Sequence, residues 1–134
     1  MKIAPNDACP CDSGQSYKTC CQPLHKGGMA ASPEALMRSR YSAYALNLAA
    51  YIIKTTHPDG TQYKSDKAAW KRDIELFCQN TRFERLQILA AQDEMVTFRA
   101  MLFAGQRDVS FTEISVFRQH NGQWKYYSGT QLDH

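Results

Sequence analysis

The feature that most constrains this chain is a group of four cysteines that falls within thirteen residues near the N-terminus. Cys9 and Cys11 form a Cys-x-Cys pair, and Cys20 and Cys21 are adjacent eight residues later. The stretch is polar, and Tyr17 is its one useful apolar side chain. Ordering about twenty such residues costs roughly 30 kcal/mol, at about 1.5 kcal/mol per residue. Because no local apolar core offsets that cost, a covalent or coordinative link must stabilise the segment.

Four thiolates that converge on one Zn²⁺ would form such a link. Zinc is borderline soft and, as a d¹⁰ ion, imposes no geometry against a tetrahedron of sulfurs. In small zinc peptides the apparent binding energy is about 10–16 kcal/mol, and it is realised as folding energy. Gly14 relaxes the backbone for the turn that returns the second pair to the first. The spacing therefore predicts one structural zinc held by all four cysteines, with His25 as an alternative fourth ligand in place of Cys21.

Two other uses of the cysteines stay open, namely two disulfides or a redox-active thiol site. Cys9 and Cys11 could each cross to the other pair, since the adjacent Cys20 and Cys21 cannot easily bond to each other. Residues 1–8 contain no apolar run and no cleavage-site pattern, so we expect no signal peptide. In a reducing cytosol, clustered cysteines are metal ligands more often than bridges. We therefore expect a cytoplasmic zinc protein.

Composition excludes several classes of protein. With 134 residues, 43% hydrophobic and 22% charged, the chain has room for one ordinary core and a small appendage. A net charge of +3 is too small to imply nucleic-acid binding. Lys18 and Tyr17 beside the cysteines, together with Lys26, keep RNA or DNA binding as a weak alternative. No apolar run approaches the roughly 20 residues of a membrane helix, since Asn47 interrupts the best candidate.

Helix signals follow the cysteine segment. Ser32, Pro33 and Glu34 supply an N-cap, a proline at the first helical position and an acid in the first turn. We expect that helix to break at Asn47, a second short helix over residues 49–56 and a third over residues 66–80. The first helix has one apolar stripe, formed by Met37, Tyr41, Tyr44 and Leu48. The third carries Trp70, Ile74, Phe77 and Cys78 on one side, with Cys78 as a small buried hydrophobe.

From residue 83 the pattern changes to strands. Aromatic and β-branched residues are rich in four stretches, residues 83–91, 95–104, 109–119 and 123–130. Asn121-Gly122 predicts a two-residue type I′ turn between the last two strands. Helices followed by an antiparallel meander predict an α+β fold, in which the helices cover one face of the sheet.

Two stretches resemble known families. Residues 6–14 (NDACPCDSG), followed by Tyr17-Lys18 and Cys20-Cys21, resemble the SEC-C motif, the zinc module named for the SecA C-terminus. Asp12 stands where that family usually has glycine, and aspartate tolerates the left-handed region better than most residues. Residues 33–44 and 53–58 are similar to the bacterial YchJ family.

In the YchJ family a SEC-C module precedes a domain with the fold of nuclear transport factor 2. The resemblance therefore implies a SEC-C zinc module at residues 1–28, ending at the hinge-like Gly27-Gly28. It implies a cone-shaped domain at residues 29–134, with about three helices on a curved antiparallel sheet. Similar zinc modules are thought to contact a protein or ribosomal partner.

The predicted hairpins bring polar groups onto one apolar face of the sheet. The Asn121-Gly122 turn would pair Phe117 with Tyr126, Ser115 with Ser128 and Glu113 with Thr130. A four-residue loop at residues 105–108 would pair Phe111 with Leu102 and Glu113 with Ala100. The result is an apolar concave face that holds one carboxylate and several hydroxyls, which is typical of a small-molecule site. The candidate pocket comprises Arg38, Arg40, Tyr41, Glu113, Ser115, Tyr126 and Ser128.

Three interpretations of this pocket stay open. Glu113 and a forked partner, Arg38 or Arg40, could simply close the cone. The cone could instead bind a small ligand without chemistry. It could also be an enzyme site with Glu113 or His57 as general base, although no second catalytic group is fixed by spacing. The sequence is best interpreted as a zinc-binding interaction protein with a structural metal, ahead of the enzyme and nucleic-acid alternatives.

Overall fold

The computed structural model describes residues 3–132. A 3₁₀ turn at Tyr17–Thr19 precedes the helices α1 (Gln22–His25), α2 (Pro33–Ala45), α3 (Ala49–Lys54) and α4 (Lys67–Gln79). The strands are β1 (Arg82–Gln92), β2 (Met95–Ala104), β3 (Arg107–Asp108), β4 (Phe111–His120) and β5 (Gln123–Leu132). The α+β prediction is confirmed, with one short helix, α1, that was not expected. None of the helices in the described part of the chain is long and apolar enough to cross a membrane.

The helix ends follow the predicted signals. The Ser32 hydroxyl accepts the Ala35 N–H at 3.1 Å and caps α2, with Pro33 in the first turn. Asn47 adopts a left-handed φ of 59° just after that helix, which confirms the predicted break. The Asp66 carboxylate accepts the Ala69 N–H at 3.1 Å and caps α4. Helix α3 stops at Lys54, two residues before the predicted end.

The strands form one antiparallel sheet in the order β1-β2-β4-β5, and β3 also pairs with β2. The predicted four-residue loop after β2 is wrong, because Arg107 pairs with Ala104 and the connection is only two residues, 105–106. Phe111 therefore lies opposite Ala100 rather than Leu102. Glu113 moves by the same two residues, from Ala100 to Phe98, and a shift of two keeps it on the predicted face.

The last hairpin has the predicted turn, but its register differs from the prediction beyond Tyr126. Asn121 and Gly122 have φ of 54° and 79°, as a type I′ turn requires, and Phe117 pairs with Tyr126. The register then shifts at Tyr127, so that Ser128 lies opposite Val116, not Ser115. Since one extra residue reverses the alternation of faces, the predicted inward position of Ser128 is wrong.

The same shift corrects the residues that follow. Gly129 is the residue opposite Ser115, and Gln131 rather than Thr130 is opposite Glu113. The strand β5 thus places Gly129, rather than Ser128 or Thr130, beside the Glu113 carboxylate.

Helix α2 is buried between two groups of neighbours. One apolar cluster joins its Leu36, Met37 and Tyr41 to the inner face of the sheet and to the cysteine segment. A second cluster joins its Ala43 to α3 and α4 through Ala49, Ile52, Trp70, Ile74 and Cys78. Arg40, a predicted pocket residue on the same helix, is also buried, with its side chain only 3% exposed.

Candidate metal centre and cavity

The four predicted ligand sulfurs lie together. All four Sγ atoms are within 4.8 Å of one another, with Cys11 to Cys20 at 3.6 Å and Cys20 to Cys21 at 3.9 Å. A tetrahedron with zinc–sulfur bonds of about 2.3 Å has sulfur–sulfur edges of roughly 3.8 Å. A disulfide requires about 2.05 Å, and the cysteines of the described chain are all free. The cluster therefore fits a metal ion held by four sulfurs and contradicts the two-disulfide alternative.

The backbone between the two cysteine pairs forms a small closed loop. The Cys9 N–H donates to the Gln15 carbonyl at 2.9 Å, and the Asp12 N–H donates to the Cys9 carbonyl at 3.2 Å. Asp12 and Gly14 have φ of 62° and 86°. The expectation that an aspartate takes the left-handed position usually held by glycine is confirmed.

Without a bound cation, the pKa values of the Cys11, Cys20 and Cys21 thiols differ from one another. Hydrogen bonds from Cys21 and Cys9 lower the pKa of Cys11, and the same bond to Cys11 raises the pKa of Cys21. Burial raises the pKa of Cys20 to about 11. Four thiolates at this spacing therefore need a compensating cation, which would displace the remaining protons.

Polar groups from the first loop and from α2 surround the sulfurs. The Ser42 hydroxyl lies 3.3 Å from Cys21 Sγ and 3.5 Å from Cys9 Sγ, and the Ser13 hydroxyl lies 3.2 Å from Cys20 Sγ. Such donors orient thiolate ligands and reduce their charge. Three of the four cysteines are buried, and the cluster offers four sulfur ligands to one ion.

His25 is not a ligand. Its Nε2 donates to the Ser39 carbonyl at 2.8 Å, which leaves Nδ1 to accept the Tyr17 hydroxyl at 2.7 Å. Burial lowers the pKa of His25 and favours this neutral form. Tyr17 is 7% exposed, so its ring is unavailable for the base stacking that the nucleic-acid alternative required.

The cysteine segment is bound directly to the body. The Asp12 carboxylate accepts the Leu86 N–H of β1 at 2.9 Å. Arg38 on α2 donates to the Cys11 carbonyl at 2.9 Å and ion-pairs with Glu34 at 3.2 Å. Arg38 therefore belongs to the surroundings of the cysteine cluster, not to the pocket where it was predicted.

A cavity of about 140 Å³ lies between α2, α4 and the inner face of the sheet. Of the predicted pocket residues, Arg40, Tyr41, Glu113 and Tyr126 line it. Ser115 lies behind Glu113 and donates a hydrogen bond to its carboxylate. The remaining lining is mostly apolar and comprises Met37, Tyr44, Gln62, Phe77, Phe83, Phe98, Ala100, Leu102 and Phe111. The residues outside the sheet face that were not predicted in the pocket are Met37, Tyr44, Gln62, Phe77 and Phe83, although Met37 and Tyr44 belong to the stripe that also contains Tyr41.

The predicted ion pair of Glu113 with Arg38 or Arg40 is not formed. Glu113 Oε2 instead accepts the Tyr126 hydroxyl at 3.2 Å, in addition to that of Ser115. Burial, followed by the nearby Glu113 charge, raises the pKa of Tyr126, so this hydroxyl remains a donor. A β-carbon at Gly129 would overlap the Tyr126 hydroxyl and the Glu113 carboxylate.

Arg40 is held by hydroxyl and carbonyl oxygens at one end of its guanidinium. Its Nη1 donates to the Ile52 carbonyl at 3.1 Å and to the Thr55 hydroxyl at 2.7 Å. Its Cζ lies 4.7 Å from the centre of the Tyr126 ring. A cation and a carboxylate therefore line the same cavity without a direct bond between them.

The second candidate base, His57, lies elsewhere. Its Nδ1 accepts the Asp59 N–H at 3.0 Å, and its ring packs on those of His120 and Tyr127. His57 is not among the residues that line the cavity, so the two candidate bases, His57 and Glu113, do not lie in one site. Cys78 is 9% exposed, and burial raises the pKa of this thiol to about 11, in agreement with its predicted place in the core.

Two regions of the chain match known family models. Residues 32–129 match the model of the YchJ middle NTF2-like domain, and residues 6–23 match the SEC-C motif. A UPF0225 protein of Deinococcus radiodurans is 38% identical over 130 residues, which cover 95% of this chain and 92% of that protein. A UPF0225 protein of Pectobacterium carotovorum is 36% identical over 138 residues, which cover 95% of this chain and 85% of that protein.

A solved structure shows the same arrangement. The solution structure of a SEC-C motif containing protein from Rhodopseudomonas palustris superposes with a TM-score of 0.78 at 35% identity. The match covers 93% of this chain and 98% of that one. The cysteine segment and the NTF2-like domain thus occur together in a structural relative.

Proposed function

Because the chain belongs to the YchJ-like family, with a SEC-C motif ahead of an NTF2-like domain, we propose that it is a cytoplasmic, zinc-dependent interaction protein. One structural Zn²⁺ on Cys9, Cys11, Cys20 and Cys21 holds the N-terminal segment against α2 and β1. The segment then presents a surface to a protein or ribosomal partner. The observation that carries this proposal is the cluster of four sulfurs within 4.8 Å of one another.

Zinc is the metal that this donor set favours. Soft thiolates select zinc over hard cations such as Mg²⁺ and Ca²⁺, which take oxygen ligands. Sulfur fills all four positions, so no position remains for a water or a substrate. The chemistry that the ion supplies is therefore cross-linking of the chain, and catalysis at the metal is not expected.

A surface groove beside the sulfurs supports an interaction role. It runs between the cysteine segment and the start of α2, and its walls include Gln15, Thr19, Leu24 and Ala35. Two different segments form its walls, and the fold of the cysteine segment, which the ion would fix, brings its sulfurs to the Ser42 hydroxyl of α2. The groove therefore depends on the metal, which would make binding of a partner zinc-dependent.

The proposal is tested by affinity capture from bacterial lysate with quantitative mass spectrometry. The zinc-loaded protein should enrich a defined set of proteins, and Cys20→Ser or zinc chelation should lower that enrichment at least tenfold. Ala35→Arg should do the same while zinc content stays at one per chain, because it fills the groove and replaces none of the four cysteines.

Ala68→Arg on the exposed face of α4 is the matched control and should capture the same set as the wild type. An enrichment that Ala35→Arg leaves unchanged would contradict the groove as the partner site. A zinc content of zero in freshly purified, reduced protein would contradict the metal itself.

A further inference from the structure

We propose that the cavity between α2 and the sheet binds an uncharged, single-ring aromatic molecule that carries a hydrogen-bond donor and an acceptor. This inference concerns residues that make no hydrogen bond to the sulfur cluster, and it does not depend on the interaction role. It rests on the size of the cavity, the rings that line it and the two opposite charges in its wall.

The size of the cavity limits the ligand to one ring. Its volume is about 140 Å³, and an engineered cavity of about 150 Å³ in another protein holds benzene. Tyr44, Gln62 and Phe77 line both this cavity and a neighbouring surface groove, so they form its mouth. Gln62 is exposed and Phe77 is 42% exposed, which gives a small molecule a path from solvent.

Aromatic side chains make the wall suited to a flat ligand. Phe98 and Phe111 meet edge to face with centroids 5.9 Å apart, and Tyr44 lies nearly parallel to Phe83 at 6.4 Å. These four rings and Phe77 all line the cavity. Offset-stacked and edge-to-face contacts with a further ring would extend this arrangement, whereas an aliphatic chain would gain only burial.

The polar end of the cavity specifies a neutral ligand. The hydrogen bonds that Glu113 accepts from described residues all reach Oε2. Arg40 Nη1 donates to the Ile52 carbonyl and to the Thr55 and Thr56 hydroxyls, and the guanidinium also lies beside the Tyr44 hydroxyl. Glu113 Oε1 and the rest of the guanidinium therefore retain hydrogen-bonding capacity.

The two side chains carry opposite charges; Arg40 is buried and Glu113 is half-buried. A ligand with a net charge would meet one like charge at close range and would also lose its hydration. An amide group satisfies both sides, because its N–H₂ donates to Glu113 and its carbonyl accepts from Arg40. Benzamide is therefore the first probe, with benzoate and benzylammonium as its charged counterparts.

The test is a titration of the full-length, zinc-loaded protein followed by ¹H–¹⁵N correlation spectra. Benzamide should bind with a millimolar or lower Kd, at least tenfold tighter than benzoate or benzylammonium. The largest shifts should fall on the amides of Ala100, Leu102 and Glu113.

Two variants separate the cavity from any other site. Ala100→Leu adds atoms inside the cavity and should weaken benzamide binding at least tenfold. Glu113→Gln removes the negative charge while Arg40 remains, so benzoate should now bind at least as tightly as benzamide. Glu94→Gln lies in the exposed β1–β2 turn and should leave the order of the three probes unchanged.

Three results would overturn the proposal. The first is no binding of benzamide to the wild-type protein up to its solubility limit. The second is a charged probe that binds the wild-type protein as tightly as benzamide. The third is benzamide binding that a correctly folded Ala100→Leu protein retains, and the wild-type titrations decide the question even if Glu113→Gln does not fold.

Discussion

The cysteine segment, residues 3–28, and the body that follows it are stabilised by different means. The few residues that the segment buries are three of the sulfur ligands and Tyr17, and its loops are largely exposed. In the body, apolar side chains of α2 and the sheet pack into a continuous cluster. A metal ion can replace a core only where the chain is short, since one ion supplies a fixed number of bonds.

The two regions nevertheless share a boundary that is itself buried. Ser42 on α2 touches two ligand sulfurs, and Asp12 in the segment accepts a backbone N–H of β1. Cys9, Cys11 and Cys21 belong to the same cluster as Leu36 and Tyr41. The body therefore supports the conformation of the cysteine segment, and the segment covers apolar surface of the body.

Removal of the metal should have the largest effect. We expect Cys11→Ser or chelation of zinc to unfold residues 3–28, to leave the strands folded and to lower the Tm by roughly 10 °C. The body should lose about 3 kcal/mol because part of its cluster becomes exposed. The measurements are amide correlation spectra, which report each strand separately, and thermal unfolding.

Cys78→Ala is the control, since that thiol lies outside the cluster and should leave zinc content at one per chain. If chelation instead removed the native signals of all five strands together, the segment and the body would be one folding unit. The predicted division of the chain at residue 28 would then be wrong.

Substitution at Gly129 should have the next largest effect, and it is confined to the body. Gly129→Ala places a methyl group against the Glu113 carboxylate and the Tyr126 hydroxyl, so both groups must shift and their hydrogen bond is disturbed. We expect a loss of about 2–3 kcal/mol in the free energy of unfolding. Urea denaturation measures it, and zinc content should not change.

Thr130→Ala at the neighbouring, exposed position should cost less than about 0.5 kcal/mol. Equal losses from the two variants would show that the inward direction of Gly129, and with it the bulge at Tyr127, is incorrect.

The difference between the two regions also explains what the sequence could predict. The cysteine cluster could be predicted because the motif is local, with all four cysteines inside thirteen residues. The caps of α2 and α4 and the turn at Asn121-Gly122 are local for the same reason. Each of these features depends on a few neighbouring residues whose preferences are strong.

The residues that line the cavity depend on the register between paired strands. Because of the extra residue at Tyr127, Gly129 lies on the inner face in place of Ser128. The sequence contains no turn residue there that would predict such a bulge. Arg40 was predicted in the pocket, but its hydrogen-bond partners were not, because helical spacing does not reveal which later segment covers the helix. Its partners, Ile52 and Thr55, come from the following helix and its cap.

Substitution of Asp12 tests one contact across the boundary. Asp12→Ala should cost about 2 kcal/mol, because the buried Leu86 N–H loses its acceptor and alanine disfavours the left-handed φ of 62°. Asp12→Gly removes the same bond but suits that conformation, so it should cost about 1 kcal/mol. Both are measured by urea denaturation of the zinc-loaded protein. An alanine variant as stable as the glycine variant would contradict the left-handed assignment.

Substitution of Ser42 should have the smallest effect on folding and the most specific effect on the metal. Its hydroxyl is fully buried and directed at the sulfurs of Cys21 and Cys9, so Ser42→Ala removes a donor that stabilises thiolate charge. We expect zinc affinity, measured by competition with a chromogenic chelator, to fall by about tenfold. The Tm of the zinc-saturated protein should change by no more than about 5 °C, because the helix itself is unaltered. Ser110→Ala, at a serine that bonds only to β2 and its own turn, should leave zinc affinity unchanged. Unchanged affinity in the Ser42 variant would mean that the body supports the metal loop through backbone contacts alone.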